Sequence, residues 1–472
     1  MFDFYHEIEQ GKEALVSINT ILSNQKHAKS TLFSLKSAKE LPFSEVLSSK
    51  TIQANLENLD YRDRVFSPDV TLWAWLSQVL NEDQSLQCAV ARVLSFFISQ
   101  GRKVFSLNTA GYSQARTRLP EELCSKLTRD SAEQLEQDTP PDWRWRKRAI
   151  QLIDGSTVSM ADTQENQKMY PQQRCQKPGI GFPMARIVGI ISCATGAVLN
   201  LAIGPCLGKG SGEHALLRKI LDTFKPGDIV IADKYYPSFF LIALLKKMGV
   251  DCVFPNHFAR GCDFRRGMRL GKKEHIVRWK KPLRPSWMSL EEYNEFAEEL
   301  EIRESSVQSG GNGFCMETKV IVTTFLDHKE VSKEELGRLY NFRWLVELDL
   351  RSIKTTMRMD VLRGKSPEMV QKEIWVRLLA YNLVRKIMAQ AAILHNRKPR
   401  ELSFKLTLQI TEAFRSAGIF DKAEYYLELL KLITYKEVGN RPGRHEPRRT
   451  KRRAKPYPLL LKPRHFYHKR AA

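Results

Sequence analysis

Residues 225–249 read KPGDIVIADKYYPSFFLIALLKKMG. The run Asp228–Asp233 is short and apolar with β-branched residues, the texture of a buried strand, and it ends on a carboxylate. A helix opening at Pro237 and running to Met248 follows, and after it a second short strand, Asp251–Pro255. Upstream, Ala149–Met160, Ala185–Cys193 and Ala197–Ile203 also read as strands, and a helix capped by Ser211 is expected from Glu213 to Phe224. Strands that begin as a meander and then alternate with helices predict a mixed α/β fold, one sheet covered by helices.

The chemistry-bearing residues sit at the ends of these runs. In RAIQLIDGSTVSM, residues 148–160, Asp154 closes an apolar run, and Gly-Ser-Thr after it signals a turn. Asp233 closes the run DIVIAD in the same way. A third carboxylate comes from residues 331–360, VSKEELGRLYNFRWLVELDLRSIKTTMRMD, which read as one helix. At about 100° per residue, Tyr340, Arg343, Glu347 and Lys354 fall within roughly 60° of arc, and Leu339, Phe342, Val346, Leu350 and Ile353 fill a second stripe about 90° away. One flank is therefore buried while another shows a carboxylate framed by cations. Glu347 suits a hard divalent cation, and Arg343 and Lys354 suit phosphate oxygens. Three converging carboxylates hold two such ions about 3.5–4 Å apart, the arrangement for in-line displacement at phosphorus. Taken singly, each feature has a plainer reading: an i,i+4 ion pair on a solvated face, or an aspartate at a turn or cap.

Together the motifs carry a resemblance. Asp154-Gly-Ser-Thr, Asp233-Lys-Tyr-Tyr and Tyr340-x2-Arg343-x3-Glu347-x6-Lys354 match, in order and spacing, the signatures of DDE transposases of bacterial insertion sequences. The last resembles the Tyr-Arg-Glu-Lys signature of the IS-four family. Gly111–Pro120, GYSQARTRLP, and a long insert between Asp233 and Glu347 add to the likeness, which runs from about Val65 to the C-terminus. Lys234 departs from the arginine frequent in relatives, but keeps the positive charge. The resemblance implies a ribonuclease-H-like core with Asp154 on its first strand, interrupted by a β-rich subdomain over the active site. It implies Asp154, Asp233 and Glu347 as catalytic residues and ligands of two Mg²⁺ ions, with Mn²⁺ as a substitute, and Tyr340, Arg343 and Lys354 as holders of strand-end phosphates. The implied partners are double-stranded DNA, both element ends and target, and a second copy of the chain in a homodimer. The implied activity is cut-and-paste DNA transposition, with DNA hairpins and a base flipped onto a tryptophan. A transposase-derived regulator that binds DNA without cutting is the rival, and the presence of all three carboxylates argues against it.

Composition agrees with a polyanionic partner: 472 residues carry a net charge of +22, with a pI near 9.6. Half of that excess, +11, lies in residues 441–472, where five prolines leave little room for regular helix. The eight cysteines form no C-x-x-C pair, and Cys252 and Cys262 have no histidine at zinc-finger spacing, so reduced thiols without structural zinc are expected. The N-terminus is acidic where a signal peptide is basic and apolar, and Phe239–Leu245 is far too short to span a bilayer. A soluble, cytoplasmic, nucleoid-associated protein with no membrane contact is the expectation.

Five regions follow from these patterns. Residues 1–142 form a helical DNA-binding domain: Asp69–Leu80, Gln84–Gln100 and Glu121–Gln137 have apolar residues at three- and four-residue steps, and Arg116 and Arg118 stand in the loop-like stretch between the last two. That stretch reads as helix-turn-helix-like or as a polar loop in an ordinary bundle. Residues 143–256 and 318–395 are two parts of the core, the second containing the catalytic helix and a scaffold helix, Pro367–Ala391. Residues 257–317 are a basic, β-rich insertion, and 396–472 a helical and basic C-terminal region. In the insertion Arg260, Arg265, Arg266, Lys272 and Lys273 suit phosphate contacts. Trp279 and Trp287 suit stacking on an unpaired base, or packing in the insertion's own small core.

Overall fold

The computed structural model describes residues 65–102, 106–257, 259–309, 317–420, 422–436 and 438, together with Ile52, Lys462 and Phe466. The chain divides into two compact units: a helical one, of residues up to Asp138 joined by Lys372–Val438, and a sheet-based one, Thr139–Gln371. Most of the expected basic tail lies outside the described residues.

The helical unit opens with α1 (Pro68–Leu80), α2 (Leu86–Ser99), α3 (Ala110–Arg118) and α4 (Glu121–Gln137). Pro at the first position and Asp69 in the first turn start α1, and the Ser85 hydroxyl caps α2 by accepting from the Cys88 N–H. Leu72, Trp75 and Leu76 of α1 and Val90 and Val93 of α2 are buried against this unit's core. Tyr112 on α3 is fully buried, and its hydroxyl donates to Gln78 Oε1 at 2.8 Å. Of the two readings of Gly111–Pro120, helix-turn-helix-like or polar loop, the stretch is not a loop: Ala110–Arg118 is itself a helix, held by an aromatic anchor.

The sheet-based unit contains β1 (Ile150–Ser159), α5 (Gln164–Met169), β2 (Met184–Ser192), β3 (Val198–Pro205), α6 (Glu213–Arg218), β4 (Ile229–Ile231), α7 (Phe239–Lys247) and β5 (Asp251–Pro255). β1, β2 and β3 form an antiparallel meander, and β4 and β5 add parallel to β1 on its other side, giving the order β3-β2-β1-β4-β5. That order and sense is the ribonuclease-H-like fold. The Ser238 hydroxyl caps α7, whose Leu241, Ile242 and Leu245 pack with Ile153, Val230 and Phe254 of the strands. Gly249 ends this βαβ connection with φ +71°, a conformation that only glycine adopts without strain.

The sheet does not stop there. β6 (Met268–Gly271), β7 (Glu274–Lys280), the short α8 (Leu290–Asn294), β8 (Glu299–Ser309) and β9 (Glu317–Thr323) follow. β9 pairs antiparallel with β5, and β8, β7 and β6 extend outward from it, so one nine-stranded sheet carries both the core strands and those of the basic insert.

Two local expectations change. Gly155-Ser156-Thr157 is not a turn: β1 runs on to Ser159, with these residues opposite Val188, Ile187 and Arg186 of β2. The continuous helix expected over 331–360 is divided into α9 (Lys333–Asn341), α10 (Arg343–Arg351) and a π-helical turn, Ser352–Thr356. Ser332 and Glu335 form a capping box that starts α9, and Phe342 joins the two helices with φ −63° and ψ −19°, so the path bends without leaving helical space. The remaining helices are α11 (Pro367–Leu394), α12 (Phe404–Ser416) and α13 (Ala423–Thr434). From Lys372 onward α11 belongs to the helical unit, where its Trp375 N–H donates to Glu121 Oε1 at 3.1 Å. Among the described residues no helix is long and apolar enough to cross a membrane.

Candidate active site

Parallel pairing brings the two aspartates to one edge. The last rung between β1 and β4 joins Leu152 to Ile231, and Asp154 and Asp233 each lie two residues beyond it. The Asp154 carboxylate accepts the N–H of Gly155 at 2.8 Å, and that of Asp233 accepts the N–H of Tyr235 at 2.8 Å, fixing the turn that leaves β4. Helix α10 packs against β1 and brings Arg343 and Glu347, which form an ion pair through Arg343 Nη2 and Glu347 Oε1. The π turn that follows delivers Lys354, whose Nζ donates to Ser156 Oγ at 3.1 Å. Asp154 and Ser156 are alternate residues of β1, so both side chains leave the same face of the strand. Tyr340, near the end of α9, is buried, with Lys319 over its ring at 5.4 Å and Arg343 near enough to act on its hydroxyl.

The charges of these groups act on one another. The Asp154 carboxyl is pushed up to about 6, first by burial; the Gly155 N–H and the Arg343 guanidinium work against the rise, and the carboxylates of Asp233 and Glu213 add to it. Burial pushes the Tyr340 hydroxyl up, with Arg343 opposing and Asp233 assisting. Burial holds the Lys354 ammonium below the usual lysine range, with Asp360 opposing. The result is a partly buried Asp154 carboxyl with Asp233 and Glu213 near enough to raise it and Arg343 near enough to oppose them.

Glu213 and His214 are the residues that sequence reasoning missed. They sit at the start of α6, whose cap is Gly212 rather than the expected Ser211. A Cβ placed on Gly155 would lie 2.6 Å from Glu213 Oε1, so the carboxylate rests directly on the backbone next to Asp154. Tyr236 Oη donates to Glu213 Oε2 at 3.1 Å, and the His214 ring nitrogen Nε2 donates to the Tyr235 carbonyl at 2.6 Å. Burial keeps His214 below the ordinary histidine range and therefore neutral near pH 7. Two successive residues of one short helix thus grip the Asp233 turn, and one of them also covers Gly155. No motif announced this, because Gly-Glu-His is an ordinary helix start; the one local signal was the glycine after Asp154.

The residues expected to contact DNA lie in different environments. Trp279 is buried in the core, its indole N–H donating to Glu304 Oε1 at 3.1 Å and its face covered by the Arg260 guanidinium 3.6 Å away. Trp287 is 44% exposed, carries Arg218 over its ring at 3.7 Å, and lines a cavity of about 220 Å³ with His214, Phe240 and Leu241. Arg265 and Arg266 are exposed and share Asp263, at 2.9 and 3.5 Å. Lys272 and Lys273 form the two-residue tip of the β6–β7 hairpin, Lys273 with φ +55°. In the helical unit Arg116 lies over the rings of Trp75 and Tyr112, while Arg118 is exposed at the end of α3.

A ribonuclease-H-like sheet with carboxylates on β1, just past β4 and on the helix packed against β1 defines the class. Residues 145–383 match the family described as "Transposase DDE domain", and the chain belongs to that family. It is similar to "Transposase InsG for insertion sequence element IS4" of Escherichia coli (strain K12), 26% identical over 408 residues that cover 85% of this chain and 89% of that one. It is also similar to "Transposase for insertion sequence element IS421" of Escherichia coli, 35% identical over 69 residues, 15% of this chain and 19% of the other. Among solved structures, a cryo-EM piggyBac transposase synaptic complex with hairpin DNA aligns with 81% of each chain at 11% identity and a TM-score of 0.41.

Proposed function

We propose that this protein is an insertion-sequence transposase that binds the terminal inverted repeats of its own element, cuts the DNA there and joins the 3′ ends to a target. What supports the reading is that Asp154 and Asp233 each lie two residues past the last β1–β4 rung, that Arg343 acts on the Asp154 carboxyl and pairs with Glu347, and that Lys354 reaches Ser156 on the same strand face. Residues 1–142 would recognise the ends, 143–256 and 318–395 would perform the chemistry, and 257–317 and 396–472 would supply further phosphate contacts. Two copies of the chain would act together on two ends, in the cytoplasm.

The donor set fits hard divalent cations. Asp154, Asp233 and Glu347 offer only oxygen, and the raised Asp154 carboxyl, lifted first by burial and then by the Asp233 and Glu213 carboxylates, is one whose ionised form a bound cation would favour. Two Mg²⁺ held by these three, with Mn²⁺ as a substitute, would supply Lewis acidity at phosphorus for both cleavage and strand transfer. The chain's own contribution is orientation. Arg343 matches a phosphate with two parallel donors, Lys354 adds a point charge, and Tyr340 offers a buried hydroxyl near Arg343. Glu213 and His214 keep the Asp233 turn from moving. Trp287, with a cation above its ring and a cavity beside it, is the better platform for an unstacked base.

The test is cleavage of a DNA fragment carrying the source element's ends. Glu347→Gln keeps the side chain's size and removes its charge. It should lower cleavage in Mg²⁺ by on the order of a thousandfold, several kcal/mol of lost transition-state stabilisation, while leaving end binding intact. Cleavage at the wild-type rate would remove Glu347 from the site.

A further inference from the structure

In the basic insert, three side chains from distant positions meet in a second cluster that shares no residue with the acidic one. His275 on β7 and Glu304 on β8 are direct partners in the antiparallel ladder, so their side chains leave the same face of the sheet. His275 Nε2 lies 3.1 Å from Glu304 Oε2, and Cys262 Sγ, from the loop before β6, lies 3.9 Å from the same nitrogen. The ligand atoms of all three fall within 4.8 Å of one another. His275 and Glu304 are buried, at 1% and 3% exposure.

The surroundings orient these groups as metal ligands are oriented. His275 Nδ1 stands 2.6 Å from the Arg266 carbonyl, which can only accept, so Nδ1 carries the hydrogen and Nε2 turns its lone pair toward Glu304 and Cys262. The other Glu304 oxygen takes the Trp279 N–H, leaving Oε2 for the cluster, and Phe264 packs its ring 4.9 Å from that of His275. Tetrahedral zinc would set nitrogen and oxygen about 3.3 Å apart and sulfur and nitrogen about 3.6 Å apart, close to the spacings here. A lone pair and a carboxylate oxygen facing each other in a buried space need a proton or a metal ion between them. The sulfur, which a simple imidazolium–carboxylate pair would not need, favours the metal.

We propose that Cys262, His275 and Glu304 bind a zinc ion that ties the loop carrying Arg260, Arg265 and Arg266 to the two strands beside it. Zinc replaces the thiol proton, forming a Zn–S bond and releasing H⁺ to solvent. The spacings of 13 and 29 residues follow no zinc-finger pattern, because the β7–β8 ladder rather than the local chain brings the ligands together.

Cobalt substitution tests this on the full chain. After chelation and dialysis, titration with Co²⁺ should produce a thiolate-to-cobalt charge-transfer band that saturates at one metal per chain and is displaced by Zn²⁺. Cys262→Ser should lose that band while keeping the wild-type unfolding transition of the metal-free chain; Cys175→Ser and Asp154→Asn should retain the band. No band in the native chain, or a band that survives Cys262→Ser, overturns the proposal. Alkylation of the native chain gives an answer even if that variant misfolds: added Zn²⁺ should slow modification of Cys262, located by peptide mass, at least tenfold. Equal rates with and without zinc would mean that a proton, not a metal, closes the cluster.

Discussion

Asp154 is ionised at neutral pH only against its surroundings. Its carboxyl titrates near 6 in the metal-free fold instead of at its ordinary 3.8, chiefly because it is buried. The folded state therefore holds a proton between those two values that the unfolded chain has lost, so this group's contribution to stability is full below pH 4 and is lost as pH rises through 6. Above that the ionised form costs the metal-free fold on the order of 2–3 kcal/mol. Asp154→Asn should then raise the denaturation midpoint in chelator at pH 8, and leave it nearly unchanged at pH 4. Equal effects at both pH values would show that charge at this position is not what strains the fold. Cleavage by the wild type should rise with pH through 6, as the proton leaves the oxygens a cation needs.

At the scale of elements, the short helix α6 does more for the site than its six residues suggest. Through Glu213 it rests on Gly155 and holds Tyr236, and through His214 it holds the Tyr235 carbonyl, so β1 and the β4 turn are braced by one piece of chain. Gly155→Ala should destabilise the protein by about 1–3 kcal/mol, because the added carbon meets a carboxylate whose other side is occupied. Glu213→Ala should lower cleavage by roughly 10–100-fold with end binding unchanged, the range for loss of a group that orients metal ligands. Combining the two should recover most of the stability lost in Gly155→Ala; strictly additive losses in denaturant melts would show that the collision is not what demands glycine. The break at Phe342 and the π turn after α10 have a comparable role. The π turn carries Lys354 to Ser156 of β1, while α10 brings Arg343 near Asp154.

For the molecule as a whole, charge and number of copies decide behaviour. Residues 441–472 carry half of the net charge. Truncation after Asn440 should weaken binding to end DNA and random DNA by the same factor and flatten the dependence of log affinity on log salt, as expected when sequence-independent phosphate contacts are removed. A selective loss of end binding would make the tail a specificity element instead. If the proposed transposase function holds, two element ends are processed by chains that each supply one set of Asp154, Asp233 and Glu347, so the active complex should be a homodimer. Mixing Glu347→Gln chains with chains carrying Arg116→Ala and Arg118→Ala should restore cleavage that neither shows alone, measured by product formation on paired-end DNA. Full excision and joining by one chain on one end would reject the dimer.

Much of this was legible in the chain because hydrophobic periodicity is local. The runs at 149–160, 185–203 and 228–255 pointed to a meander followed by strand–helix alternation in a mixed, helix-covered sheet; the spacing of Tyr340, Arg343, Glu347 and Lys354 carried the resemblance to the DDE family, and it was that resemblance that implied the ribonuclease-H-like order. Tertiary structure decided the rest. Whether Gly155-Ser156-Thr157 turned or stayed extended depended on β2 lying alongside, and whether Trp279 faced solvent or core depended on Glu304 and Arg260 arriving from elsewhere. Glu213 at Asp154, and Cys262 with His275 and Glu304, meet only through strand register and packing, which join residues tens of positions apart and leave no period in the sequence to read.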